Sequence, residues 1–493
     1  MQSKRDQVQA HMFLMGRLTS SMLRADPDAP ESPQGRTNRG VAIGVVIALI
    51  VSAGAFVIGL MSPGKKDSWQ SSGSLIVDRD TGSRFLYLDG RLRPVRNYAS
   101  ARLLGGAELK TTTVGTSSLG GTPHGPPVGI PGAPDVLPKR GDLADGPWQV
   151  CSSRDEPGSR VSTTLALGTA ADGAGLGPQD GLLVSGPDSS LHLVWRGIRL
   201  RLDSKGGAAE ALGYGSTAPV PVSAAFLNSL PAGPDLAPPE VPGRGENGPS
   251  LGGRATRIGQ VFQVTAPGAQ ARYYLLRRDG LIPLSATTAA LALGDPGTRR
   301  EAYAGRPATA LALGTAVLKG RLAPTDGGPE GPAELPASPP EPVGPDDGTA
   351  VCVRIQPDAQ GPRLSVSLVV PGSLGPVAQP PAENLTPACS PADRVTVPPG
   401  GGALVRVLGA GGGLMGDTVY LVTDTGVKYR VPGADAAKAL GYESVIPQAL
   451  PSPLLSMLPT GPDLSPATAA YGKAVTTALR CAPVPGSPAA TRR

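Results

Sequence analysis

Aromatic side chains are scarce in this sequence, with 5 Phe, 10 Tyr and 3 Trp among 493 residues. Modules that stack sugars on aromatic faces have little to work with. Histidine is nearly absent too: His11, His124 and His192 are the only three. No His-Glu-x-x-His and no Gly-x-Ser-x-Gly occurs, so neither a zinc-protease helix nor a nucleophile elbow is present. The cysteines show no Cys-x-x-Cys spacing, which argues against a zinc site. Basic residues are scattered, for a net charge of +6. Without a dense Lys/Arg run interleaved with aromatics, nucleic acid is not an expected partner. Carboxylates such as Asp78, Asp80 and Asp89 fall in turns, so no acid–base pair can be nominated. A phosphate-cradling loop needs Gly-x-x-x-x-Gly-Lys-[Ser/Thr] between strand and helix. The nearest approach, GGAELKTT at 105–112, has Leu109 where the second glycine is required. A glycine-rich run, GAGGGLMG at 409–416, lies between two strand-like segments and reads as a hairpin loop, with no helix N-terminus to receive a pyrophosphate. No catalytic residue, metal or cofactor is assigned.

What the chain does have is an uncharged apolar stretch, Val41 to Met61. As a helix it covers roughly 30 Å, the thickness of a bilayer's hydrocarbon. It is longer than the apolar core of a signal peptide, and no small-x-small cleavage site follows, so an uncleaved anchor is expected. Lys4, Arg5, Arg17, Arg24, Arg36 and Arg39 precede it, whereas Lys65, Lys66 and Arg79 follow. This excess places the N-terminus in the cytoplasm and the bulk of the chain outside the cell membrane. Within the cytoplasmic arm, Val8, Met12, Met15, Leu18 and Met22 recur at three- and four-residue steps, with His11 beside them, forming one apolar stripe of a helix. Such a Met-rich stripe suits a partner surface or the inner leaflet. Asp26-Pro27-Asp28, Pro30 and Pro33 are expected to end that helix and form a linker.

Beyond the anchor, Gly and Pro together supply 68 and 55 residues. Patterned segments interrupt that composition, so small folded units joined by Pro/Gly-rich connectors are expected. Self-comparison identifies the units. LVWRGIRLRLDSKGGAAEALGY from 193 and LVTDTGVKYRVPGADAAKALGY from 421 align, each followed at the same distance by LPAGPDLAP or LPTGPDLSP. Weaker copies start at Phe85 and Tyr273, with turns at Gly90 and Gly280. Each copy reads as two alternating strands, a glycine turn and a short helix closing on Leu-Gly. The segments 146–167 and 348–370 also match, as strand–turn–strand with one cysteine in the first strand. The order copy, hairpin, copy therefore occurs twice.

The boundaries expected are 1–40 cytoplasmic helix and linker, 41–61 transmembrane helix, 62–74 linker, 75–145 first repeat, 146–170 and 348–370 central hairpins, 181–239 second repeat, 258–323 third, 324–347 Pro-rich linker, 395–466 fourth, and 467–493 tail. All four cysteines lie beyond the anchor, and an even count in an exported segment suggests disulfides. If the halves pack about a pseudo-twofold axis, the equivalent Cys151 and Cys352 are candidates to bond. Cys389 and Cys481 bracket the fourth copy and would pair by elimination. The sequence leaves the other pairings, and free thiols, open.

Several stretches together resemble the EccB family, a membrane core component of the type VII (ESX) secretion systems of actinobacteria. They are KRDQVQAHMFLMGRLTSSMLRADPDAPESP at the N-terminus, the single span, IPGAPDVLPKRGDLADGPWQVC at 130–151, and the LGY and LPxGPxL repeats. The resemblance covers nearly the whole chain. It implies a bitopic membrane protein with one transmembrane helix and a large exported α+β domain. In that domain four repeats surround a central pair of β-hairpins in a pseudo-twofold, distorted propeller-like arrangement, tied by a disulfide matching Cys151–Cys352. It also implies assembly with EccC, EccD, EccE and the mycosin protease in an oligomeric complex, docking by the Met-rich arm, and export of small helical proteins. Two other readings compete: a cell-wall-binding envelope protein, and an extracytoplasmic nucleotide hydrolase, since some family members carry an ATPase label.

Overall fold

The computed structural model describes residues 3–25, 33–61, 68–70, 73–156, 158–169, 171, 173–324, 335–358, 360–381, 384–409, 412–478 and 481. The chain divides into two units, Met1–Ser71 and Ser72–Arg493. Outside the described residues lie Asp26-Pro27-Asp28 and Pro30, residues 62–67 and 71–72 of the linker with Lys65 and Lys66, residues 325–334 of the Pro-rich connector, Gly411, and the tail from 482.

The first unit holds two long helices. Helix Lys4–Arg24 starts where Ser3 accepts a hydrogen bond from the Arg5 N–H and Asp6 reaches back to the Ser3 N–H, a reciprocal cap, and stops at Ala25 in the left-handed region. The second helix runs Pro33–Met61. Pro33 therefore opens a helix rather than belonging to a linker. Proline suits the first helical turn because it has no N–H to leave unpaired there. The helix starts well before the apolar stretch, so Arg36 and Arg39 ride on it. Its segment Gly35–Ile58 is unburied, and long and apolar enough to cross a membrane.

Among the described residues the second unit contains five sheets, none of them closed. The first sheet has antiparallel strands Ser74–Asp78, Arg84–Leu88 and Arg91–Pro94, and a fourth, Lys110–Val114, parallel to the opening strand. The second sheet repeats this order with Asp180–Ser185, Leu191–Trp195, Ile198–Arg201 and Val220–Pro221. The third uses Val261–Val264, Arg272–Arg277, Gly280–Leu284 and Leu311–Ala312. The fourth uses Gly402–Leu408, Leu414–Thr423, Lys428–Val431 and Gln448–Pro451. One backbone device recurs beside all four third strands. Leu92 is bonded to Pro123 and Gly125, Arg199 to Pro231 and Gly233, Leu281 to Arg321 and Ala323, and Lys428 to Pro459 and Gly461. In each case the strand N–H donates to the earlier residue and the later N–H donates back.

The fifth sheet is central, with strands in the order Arg394–Thr396, Ser162–Leu167, Trp148–Ser153, Ala350–Gln356, Arg363–Val369 and Ala174–Gly175. Its two middle strands are antiparallel, with Cys151 opposite Cys352. The largest core joins Trp148, Val150, Val353 and Ile355 of this sheet to Val184 and Val194 of the second sheet, Val405 and Val422 of the fourth, and Phe226 and Leu455 of their short helices. Segments then cross over. Leu143, after the first sheet, bridges Gly402 of the fourth; Glu341–Val343, after the third, pairs with Asp180–Leu182 of the second. Likewise helix Tyr98–Gly105 packs on helix Gly433–Leu440, and helix Ala208–Ala211 on helix Ala286–Gly294. Residues 467–478, expected to begin the tail 467–493, lie in helix Pro466–Tyr471 and in a strap whose Val475 carbonyl accepts from the Asp463 N–H. A proline at the helix start, a Ser465 cap and a glycine stop at Gly472 explain that turn of helix.

Candidate functional site

The arm helix carries Val8, Met12, Met15, Leu18 and Met22 on one side, all exposed, Met22 to 83%. His11 is exposed beside them. Leu14 flanks the stripe and Phe13 lies on the opposite side, both exposed, so the helix is apolar over a wider arc than the stripe alone. An exposed apolar surface of this extent is characteristic of a docking or membrane-contact face.

Both cysteine pairs are joined. Cys151–Cys352 has an S–S distance of 2.06 Å and a separation of 201 residues. Cys389–Cys481 has 2.00 Å and 92 residues. The first is wholly buried at the centre of the six-stranded sheet. In the chain-entropy view a closure of that length contributes about 5 kcal/mol. The second links the segment before the fourth sheet to the end of the strap.

The two LGY tyrosines act as paired latches. Tyr214 donates its hydroxyl to the Pro340 carbonyl at 2.8 Å, and Tyr442 donates to that of Pro138 at 2.7 Å. Both phenols are buried, which pushes Tyr214 up to about 12 and raises Tyr442 as well. Each latch holds the crossing segment that precedes a central strand. Trp148 and Gln448 add a third tie, Nε1 to Oε1 at 2.9 Å, while Gln448 donates to the Ala144 carbonyl.

Lys428 is the largest surprise. Its ammonium is buried against the end of the short helix Ser452–Ser456, donating to the carbonyls of Leu455, at 2.6 Å, and Leu458. Burial pushes it down to about 8. Nearby, Arg430 pairs with the buried Asp463 at 3.0 Å. Sequence patterning placed Lys428 on a strand without reason to bury it; the Asp of LPTGPDLSP was visible as a repeat but not as a partner. The signal that carried it was the same aspartate at Asp235.

The phosphate-loop-like segment runs the wrong way. Gly105 ends a helix and Lys110 opens a strand, so no helix N-terminus follows the glycines. The 409–416 run follows strand Gly402–Leu408, and its last residues, Leu414 to Gly416, already belong to the antiparallel strand Leu414–Thr423, so a strand and not a helix comes next. His124 meets Phe85 edge to face, and His192 bonds Ser190. Among the described residues no cluster of three or more His, Cys, Asp or Glu has the geometry for a metal.

The family described as "Type VII secretion system ESX-1, transport TM domain B" matches residues 1–477. The chain is 30% identical to the "ESX-3 secretion system ATPase EccB3" of Mycolicibacterium smegmatis, over 94% of this chain and 89% of that protein. It is 31% identical to the "ESX-1 secretion system ATPase EccB1" of Mycobacterium tuberculosis, over 93% and 92%. A chain of an intact ESX-5 inner membrane complex superposes with a TM-score of 0.65 at 26% identity, covering 100% of this chain and 99% of that one. A chain of an EccB3 dimer from the ESX-3 core complex gives 0.63 at 27% identity, over 80% and 99%. The chain thus belongs to the EccB family of type VII secretion components.

Proposed function

We propose that this protein is a structural subunit of a type VII secretion complex in the inner membrane, supporting export of small helical proteins. The observation that carries this reading is the likeness, end to end, to a chain of an ESX-5 inner membrane complex. The arm is assigned to the cytoplasm, the helix Pro33–Met61 to the bilayer and the second unit to the outside. The distribution of Lys and Arg and the two disulfides support that orientation. EccC, EccD, EccE and the mycosin protease are the proposed partners, with the arm stripe as the docking face.

In the same reading the four outer sheets are copies of one unit, duplicated as halves about a pseudo-twofold axis near Cys151 and Cys352, in a distorted propeller-like arrangement. The common strand order, the recurrent hydrogen-bond pairs and the matching tyrosine latches support it. Removing residues 1–30, or replacing Met12 and Met15 by Asp, is expected to abolish co-purification with EccC and EccD. Intact assembly after either change would remove the arm from the docking role. Protease shaving of whole cells tests the orientation: the second unit is cut before lysis if it is outside. The relatives' names carry an ATPase function, and ATP turnover by the purified full chain above a mock preparation tests it here.

A further inference from the structure

The second and fourth sheets follow the same path through LPxGPDLxP, yet one is covered and the other is open. In the fourth sheet two of the chain's own segments lie over this path. Thr386 pairs with Thr460, exchanging both backbone hydrogen bonds at 2.8 and 2.9 Å. The strap makes three bonds to Asp463: the Val475 carbonyl accepts from its N–H at 2.7 Å, and the Thr477 N–H and hydroxyl donate to its carboxylate at 3.0 and 2.7 Å. The Cys389–Cys481 bond ties these two covering segments together. As a result Thr460 is only 2% and Asp463 5% exposed.

The counterparts in the second sheet are Ala232 and Asp235. They stand in the same backbone frame: Arg199 donates to Pro231, and Gly233 and Leu236 donate to Arg199 and Arg201, as Lys428, Gly461 and Leu464 do in the fourth sheet. Among the described residues no segment beyond that frame pairs with them. Ala232, Asp235 and Arg201 are exposed. Among the described residues neither the N–H nor the carboxylate of Asp235 has a hydrogen-bond or ion-pair partner, and neither backbone group of Ala232 is bonded. Arg201 does not reach Asp235 as Arg430 reaches Asp463. Where Lys428 plugs the space beside its helix, Arg199 instead turns to Asn228, at 3.3 Å. A groove of about 480 Å³ remains, where His192, Arg199, Arg201, Asn228 and Asp235 supply the polar part of the lining and Leu227 and Ala232 an apolar part. The first sheet offers no such site, since Pro127 stands where Asp235 does; the third sheet's Thr325 is outside the described residues.

We propose that this groove of the second sheet docks an extended polypeptide segment of another protein. The segment lies over Asp235 as the strap lies over Asp463. One carbonyl accepts from the Asp235 N–H, and a Ser or Thr two residues on donates its N–H and hydroxyl to the carboxylate. Recognition is by backbone pairing plus one hydroxyl, the mode by which exposed edges capture extended peptides. The chemistry is taken from the fourth sheet, and it does not depend on which complex the chain joins.

The test uses the full chain in detergent and a fluorescent peptide with the sequence of residues 473–478, KAVTTA. Saturable binding is expected, weakened at least tenfold by Asp235→Asn, by Asn228→Trp, and by valine in place of the second threonine of the peptide. Both changed positions are exposed, and Asp235→Asn decides alone if the tryptophan variant does not fold. Absence of saturable binding, or binding that these changes leave intact, overturns the proposal. Self-association of the chain that Asn228→Trp abolishes, without peptide binding, assigns the groove to a second copy and also overturns it.

Discussion

Gly294 ends its helix so close to Ala211 that a Cβ added to the glycine would lie 2.2 Å from the Cβ of the alanine. The two residues belong to the packed helices Ala208–Ala211 and Ala286–Gly294. The backbone of Gly294 is ordinary helix, so the demand is for space alone.

Gly294→Ala is therefore expected to destabilise the second unit by about 1–3 kcal/mol, the usual cost of overpacking. Ala211→Gly alone costs less, and the pair Gly294→Ala with Ala211→Gly recovers most of the loss. Urea midpoints of the four proteins measure this cycle; a single substitution with no effect would mean the two helices separate easily.

Replacing Cys151 and Cys352 together by Ser is expected to lower stability by roughly 2–5 kcal/mol, as for other native bridges. Both sulfurs are buried, so in the native protein a small thiol-exchange reagent should leave this bond intact. Mass spectrometry after alkylation under native and unfolding conditions reads the difference.

Tyr214→Phe and Tyr442→Phe each leave a proline carbonyl without its donor, at about 1–3 kcal/mol apiece. The two latches share no residue, so the double variant should show the sum of the single effects. A thermal or urea series on the three variants checks both size and additivity.

The buried Lys428 gives a pH signature with a definite sign. Its folded value, about 8, lies below its ordinary 10.5, so between these pH values the unfolded chain binds more protons. Stability contributed by this group is lowest below about pH 8 and rises as pH increases toward 10.5. Relative to Lys428→Met, the natural protein should gain up to about 3 kcal/mol across that window. A flat difference between the two pH profiles would place the ammonium in contact with water.

Much of this organisation was legible because it is repeated. Gly90, with φ of 74°, lies in its turn, while Gly280, with φ of 133°, is the first residue of its strand, just after the turn; Gly441 closes its helix in the left-handed region, as the LGY pattern suggests. Within the expected first repeat, 75–145, the self-aligned copy begins only at Phe85, so the opening strand Ser74–Asp78 precedes the part that the comparison of copies picks out. It is buried nearly throughout, so it lacks the alternation that marks a half-exposed strand. The parallel closing strands were missed because pieces as short as Val220–Pro221 and Leu311–Ala312 carry no periodicity. Lys428, the strap and the open groove depend on partners far along the chain, which no local pattern encodes.

The crossing segments dictate an order of events. Leu143 and Pro138, after the first sheet, find their partners only at Gly402 and Tyr442, and Arg102 of helix Tyr98–Gly105 meets the carbonyl of Leu440. A chain emerging from its N-terminus cannot complete its earliest quarter until its last quarter has arrived. Such distant closure makes for slow folding and a long interval with unsatisfied apolar surface. The early sheet must wait, half-built, for the rest of the chain to catch up.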